Sequence, residues 1–154
     1  MNIKLLPATE SDIKAIWQMQ VEAFTELLEK YRDYETNPAA ESVEKIRQRF
    51  EQPFTYYYFI TVDSEKVGFL RVVDKKDGSR KRISPIGILP AYRNKGCAQA
   101  AIKAAEAIHG ADHWSLDTII TEKANCYLYE KMGYRKTGET RRINEKLTLV
   151  FYEK

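Results

Sequence analysis

Along the chain the apolar positions change period several times, and each change marks an element. Ile3 and Leu5 alternate with polar or chain-bending neighbours as far as Pro7, which predicts an opening strand over 1–7. Thr9 and Asp12 stand three apart like a capping box, and Ile13, Ile16, Trp17, Gln20, Val21 and Phe24 then recur at helical spacing. Leu27, Leu28 and Tyr31 carry a second helical stretch, and 34–37 reads as a loop. Asn37 and Pro38 suit the N-cap and first position of another helix, with Val43, Ile46 and Phe50 on its buried face and Pro53 as its stop.

The period then shortens to that of strands. Runs 56–62 and 67–73 are rich in aromatic and β-branched residues and are separated by a polar turn, so they predict an antiparallel pair. Asp77-Gly78 signals a tight hairpin into a third strand over 81–89, where Pro85 cannot donate to a ladder and predicts a bulge or an interrupted pairing. Ala98, Ala101, Ile102, Ala105 and Ile108 form a small-residue helical stripe ended by Gly110. A strand over 114–118, a helix over 124–132 stopped by Gly133, and a closing hairpin of 134–140 with 146–152 complete the order β-α-α-β-β-β-α-β-α-β-β. That order predicts one mixed α/β (α+β) sheet and a single domain over 1–154.

Composition narrows the class. The 154 residues are 44% hydrophobic and 31% charged, the balance of a soluble globular chain, and no stretch reads as a membrane span. No secretory leader is evident, so the cytoplasm is the expected location and Cys97 and Cys126 are expected as free thiols. A net charge of +3 is weak for a nucleic-acid binder and suits a protein that holds a polyanionic small molecule. His109 and His113 lack partners at ligand spacing, so no metal is expected. The basic run 75–82 reads as a solvated hairpin tip rather than a nucleic-acid site, and one or more of Tyr56, Tyr57 and Tyr58 is expected to face outward.

The most informative segment is Ile86-Gly87-Ile88-Leu89-Pro90-Ala91-Tyr92-Arg93-Asn94-Lys95-Gly96-Cys97-Ala98, a strand that turns into a helix N-terminus. Such a turn aims unpaired amides at one place, Gly96 permits close approach, and Arg93 and Lys95 add countercharge, so the site suits a phosphate or pyrophosphate. Arg93 to Ala98 resembles the R/Q-x-x-G-x-G/A loop of the GNAT acetyltransferases. Tyr129-Glu130-Lys131-Met132-Gly133-Tyr134 resembles that family's second signature, in the expected later helix. The element order agrees across most of the chain, while the first helices, which vary with substrate in the family, depart from it.

The resemblance implies a mostly antiparallel sheet splayed between strands 4 and 5, with helices on both faces and acetyl-CoA as the acyl donor to an amine. It implies that the amides of Arg93, Asn94, Lys95, Gly96, Cys97 and Ala98 hold the pyrophosphate, and that backbone groups of Ile86 and Ile88 meet the pantetheine arm. Asn125 and Tyr129, four apart on one helical face, would reach the arm and thioester, with Tyr129 as general acid. One family pattern places asparagine seven residues before the tyrosine, where Glu122 stands here. Glu22, Glu26, Asp117 or a water are the candidate bases, and the family's habit of pairing through edge strands raises the expectation of a homodimer. Beside this stand a structural reading of Tyr129 as a core aromatic, and a second functional reading in which the chain is a catalytically silent acyl-CoA-binding or regulatory module. A route through acetylated Cys97 is disfavoured, since no histidine or acid accompanies it.

Overall fold

A computed structural model describes residues 2–154. The seven strands form one sheet in the order β1-β2-β3-β4-β5-β7-β6. They are β1 (Ile3–Pro7), β2 (Thr55–Val62), β3 (Glu65–Val73), β4 (Lys81–Ile88), β5 (Trp114–Ile119), β6 (Arg135–Asn144) and β7 (Leu147–Glu153). All neighbours are antiparallel except β4 and β5.

The strand pattern divides the core between two faces. On β2, Tyr57 and Phe59 join Phe69 under α1 (Ile13–Tyr31) and α2 (Val43–Phe50). Tyr58 and Ile60 point the other way, onto α3 (Cys97–His109) and α4 (Lys123–Lys131). This two-sided burial follows from side chains alternating across a strand, and it gives helices on both faces. Tyr57 and Tyr58 are buried and Tyr56 is half-buried against the α3 face, so none of the three faces outward as expected, because both faces of the sheet are covered by helices.

Several boundaries differ from the sequence reading for local reasons. The helical stretch of Leu27, Leu28 and Tyr31 continues the first helix without a break, because nothing interrupts the pattern until Arg32 enters the left-handed region at φ 54°. Asn37 does cap, accepting from the Ala39 amide at 2.7 Å, but only a single 3-10 turn; Ser42 caps α2. The Asp77-Gly78 connection is a seven-residue loop over 74–80 in which the Asp77 carboxylate takes the Ser79 amide and hydroxyl, instead of a two-residue turn. Basic residues at its end turn back on the chain: Arg80 donates to the Lys154 carbonyl, and Lys81, the first residue of β4, to that of Asp112.

Two features of β4 position the site. Its register against β3 slips between Leu70 and Val72, opposite Ser84 and Pro85, which is the bulge expected at Pro85. Its pairing with β5 is confined to Lys81 with Trp114 and Arg82 with Ser115. Beyond Arg82 the two strands part. Among the described residues no helix is long and apolar enough to cross a membrane.

Candidate active site

Where β4 leaves β5, its backbone loses one set of partners. The Leu89 amide donates to the Val67 carbonyl at 2.9 Å, and antiparallel ladders alternate between bonded and non-bonded pairs. Gly87 therefore bonds to Phe69, and the amides and carbonyls of Ile86 and Ile88 turn away from β3, towards the gap. The Ile88 carbonyl accepts Arg93 Nε at 3.2 Å from that side. Sheet edges of this kind seek an extended partner.

Two cavities meet in the gap. The larger, about 490 Å³, runs beside α3 and is lined by Ile86, Gly87, Ile88, Arg93, Asn94, Gly96, Cys97 and Ala98, with Glu26, Lys30 and Glu122 at its rim. The smaller, about 310 Å³, lies against β5 and is lined by Arg82, Ile86, Asp117, Thr118, Arg141 and Phe151. Phe24, Leu27, Ile86, Asn125 and Tyr129 line both, so they mark the junction.

At the α3 end of the larger cavity, Asn94 (φ 61°) and Gly96 (φ 81°) take left-handed conformations that lead into α3. A Cβ on Gly96 would meet nothing within 4 Å, so the loop faces open space. The first amides of a helix lack intrahelical acceptors, and the dipole favours an anion there. Arg93 lines the cavity but is a brace: it donates to Glu26 at 2.7 Å and to the Ala23 carbonyl at 2.6 Å, tying this turn to α1. Lys95 is not among the lining residues; its ammonium lies 5.9 Å from the Tyr92 ring centroid. The residues that line this end fit a pyrophosphate, through backbone amides more than through the two expected countercharges.

At the junction Tyr129 is 7% exposed and its ring packs against Tyr134 and Tyr152. Burial, reinforced by the Asp117 carboxylate, pushes its phenol up to about 12, so it stays protonated at neutral pH. Asn125 is on the same face and donates to Thr118 Oγ1 at 3.4 Å. Glu122 precedes α4 and takes Lys30 at 2.8 Å and the Tyr31 hydroxyl at 2.5 Å, a tie from α1 across the gap. Burial raises its carboxyl, but these bonds outweigh burial and hold it below the usual range.

Of the candidate bases, Glu22 is exposed and lines neither cavity, and Glu26 is an exposed partner of Arg93. Asp117 does line the smaller cavity, ion-paired with Arg82. The cavity walls are held from behind: Gln20 Nε2 donates to the Pro38 carbonyl at 2.8 Å and Arg71 Nε to that of Ser84 at 2.5 Å. The sequence reading missed Gly87, Arg82 and Arg141. Gly87 lay within the quoted motif, whereas the two arginines are brought in by strands far apart in the chain and carry no local signal. His109, between Asp74 and Tyr58, and His113, on the Gly78 carbonyl, lie outside both cavities.

The model of the acetyltransferase (GNAT) family matches residues 13–134. A search of curated protein sequences gives no match. Among solved structures, the ribosomal-protein-S18-alanine N-acetyltransferase of Escherichia coli superposes with a TM-score of 0.76 at 14% identity, over 98% of this chain and 92% of that one. The spermidine N-acetyltransferase of Vibrio cholerae, solved with CoA and spermine, gives 0.76 at 15% identity over 97% and 93%. An acetyltransferase of Thermus thermophilus gives 0.71 at 15% identity over 99% and 96%. At these identities the likeness is one of fold.

Proposed function

Because the chain belongs to the acetyltransferase (GNAT) family, we propose that it moves an acetyl group from acetyl-CoA directly to an amine, with Tyr129 as the general acid. The observation that carries this reading is the juxtaposition of a protonated, buried phenol with the free edge of β4 at the junction of two cavities. Acetyl-CoA supplies an activated thioester.

The remaining work falls to residues of the chain. The amides of Asn94, Gly96, Cys97 and Ala98 hold the pyrophosphate, and Ile86 and Ile88 offer backbone groups to the pantetheine arm, as an added strand would receive them. The Ile86 or Ile88 amide steadies the oxyanion. Tyr129 gives its proton to the departing thiolate, and Asp117, through water, draws the proton from the attacking amine. Asn125 positions the arm from the same helical face as Tyr129. The acceptor enters from the β5 side. The unpaired thiols Cys97 and Cys126 support a reducing, cytoplasmic setting.

Acetyl-CoA at about 100 times its dissociation constant should stabilise the fold by about 2.7 kcal/mol, read as a rise in Tm. Thiol release should then depend on an added amine. A protein that binds acetyl-CoA but releases no thiol with any amine would instead be a silent binding module, and one that does not bind it would end the reading.

A further inference from the structure

The geometry points to an acceptor that carries a carboxylate on the same small molecule as its reactive amine, an amino acid by chemical class, with Arg141 as the group that receives the carboxylate. This rests on the acetyltransferase reading above and adds the identity of the acceptor's second charged group.

The argument begins with the acids of the smaller cavity. Asp33 and Asp117 are the two that line it, and neither is left over for a second ammonium once the reacting amine is seated at Asp117. Asp33 is 3% exposed and its carboxylate takes the Glu35 amide at 3.1 Å, the Thr36 amide at 2.8 Å and the Thr36 hydroxyl, so it serves its own loop. Asp117 pairs with Arg82 across the closed end of the β4–β5 gap. A polyamine needs a carboxylate for each remote ammonium, and among the described residues this cavity holds no spare one.

Arg141 offers the opposite. Among the described residues its guanidinium has one partner, Glu35 at 3.1 Å, and the two side chains are 57% and 60% exposed. A surface pair of this kind contributes little, so exchanging Glu35 for a ligand carboxylate costs little. The fork of an arginine matches a carboxylate through two parallel hydrogen bonds.

The spacing suits one small molecule. Asp117 pairs with Phe151 on β7, and Arg141 with Leu149 two residues away on the same strand, so the two backbones stand about 12 Å apart on one face of the sheet, a span shortened by the length of the arginine side chain. Both side chains reach a single cavity of about 310 Å³, the lower end of the range for small-molecule sites. An amine placed at Asp117 and Tyr129 leaves room for a carboxylate at Arg141, with Phe24, Leu27 and Phe151 around the intervening carbon atoms.

The test pairs turnover with binding. Free amino acids, the matching amino acid carboxamides and spermidine are compared by thiol release with acetyl-CoA, and by calorimetric binding to protein saturated with CoA. The free acids should bind about 10-fold or more tighter than their carboxamides, with KM following the same order. Arg141→Gln should erase that preference, leaving the carboxamides and acetyl-CoA affinity as they were. Glu35→Gln should keep the preference, whereas an Arg141–Glu35 pair that mattered only for structure would make the two variants behave alike. Tighter binding of spermidine or the carboxamides, or an equal loss for acids and carboxamides in Arg141→Gln, overturns the inference while acetyl transfer stands. If acetyl-CoA itself does not bind, the acetyltransferase reading falls first. If nothing in the panel turns over, the calorimetric preference still decides for or against Arg141.

Discussion

Tyr129 fulfils two requirements that compete elsewhere. Its ring belongs to the core and it lines both cavities, so the core placement is compatible with the proposed role as acid. An acid with a pKa near 12 stays loaded throughout the neutral range, so loss of its proton should not limit turnover below about pH 10. Tyr129→Phe keeps the ring and removes the proton. Its kcat should fall by roughly 10- to 10,000-fold with acetyl-CoA affinity little changed, while stability shifts by no more than about 1 kcal/mol. Steady-state kinetics and melting on the same sample read both quantities, and undiminished turnover would remove the phenol from the mechanism.

At the scale of elements, α1 packs closely on β4 beside the gap, and this contact is expected to set the gap's width. Gly87 makes that contact possible: a Cβ there would lie 2.8 Å from Phe69 Cε1, 2.9 Å from Phe24 Cε2 and 3.0 Å from Ala23 Cβ. Phe24 lines both cavities, and Ile86 and Ile88 flank Gly87 on the free edge, so crowding here moves cavity wall and edge together. Gly87→Ala should therefore destabilise by about 1–3 kcal/mol, in the range of core overpacking, and also weaken acetyl-CoA binding. Denaturant unfolding and calorimetry measure the two effects. A variant destabilised as expected but with unaltered acetyl-CoA affinity would show that α1 does not set the gap.

Across the whole molecule, buried phenols are a common theme. Burial is the first cause that raises Tyr57, Tyr129, Tyr134 and Tyr152 above the ordinary phenol value. Each holds its proton to higher pH in the folded chain than in the unfolded one. Their contribution is thus complete below about pH 10, the unfolded value, and is lost as pH rises through the folded values, about 12 for Tyr129. The urea midpoint should be insensitive to these groups up to about pH 10 and drop steeply above it. A midpoint still flat near pH 12 would contradict their burial.

The elements, and the candidate residues contributed by contiguous segments, were legible in the sequence. Period-two and helical patterns placed every strand and helix near its position, because side-chain alternation is a local property of the backbone. The motif from Ile86 to Ala98 located the turn proposed to hold the pyrophosphate for the same reason: Gly96, the turn and the helix start are contiguous. Tyr129 and Asn125 were legible from their shared helical face. Tertiary structure alone decided the rest. Only the sheet order, with β7 inserted between β5 and β6, brings Arg141 to the cavity of Asp117. Only the parting of β4 from β5 after Arg82 frees the Ile86 and Ile88 edge, and only packing against α1 turned Arg93 from an expected countercharge into a brace. These depend on which distant segments compete for each hydrogen bond and each volume, and that competition is settled when the chain closes on itself.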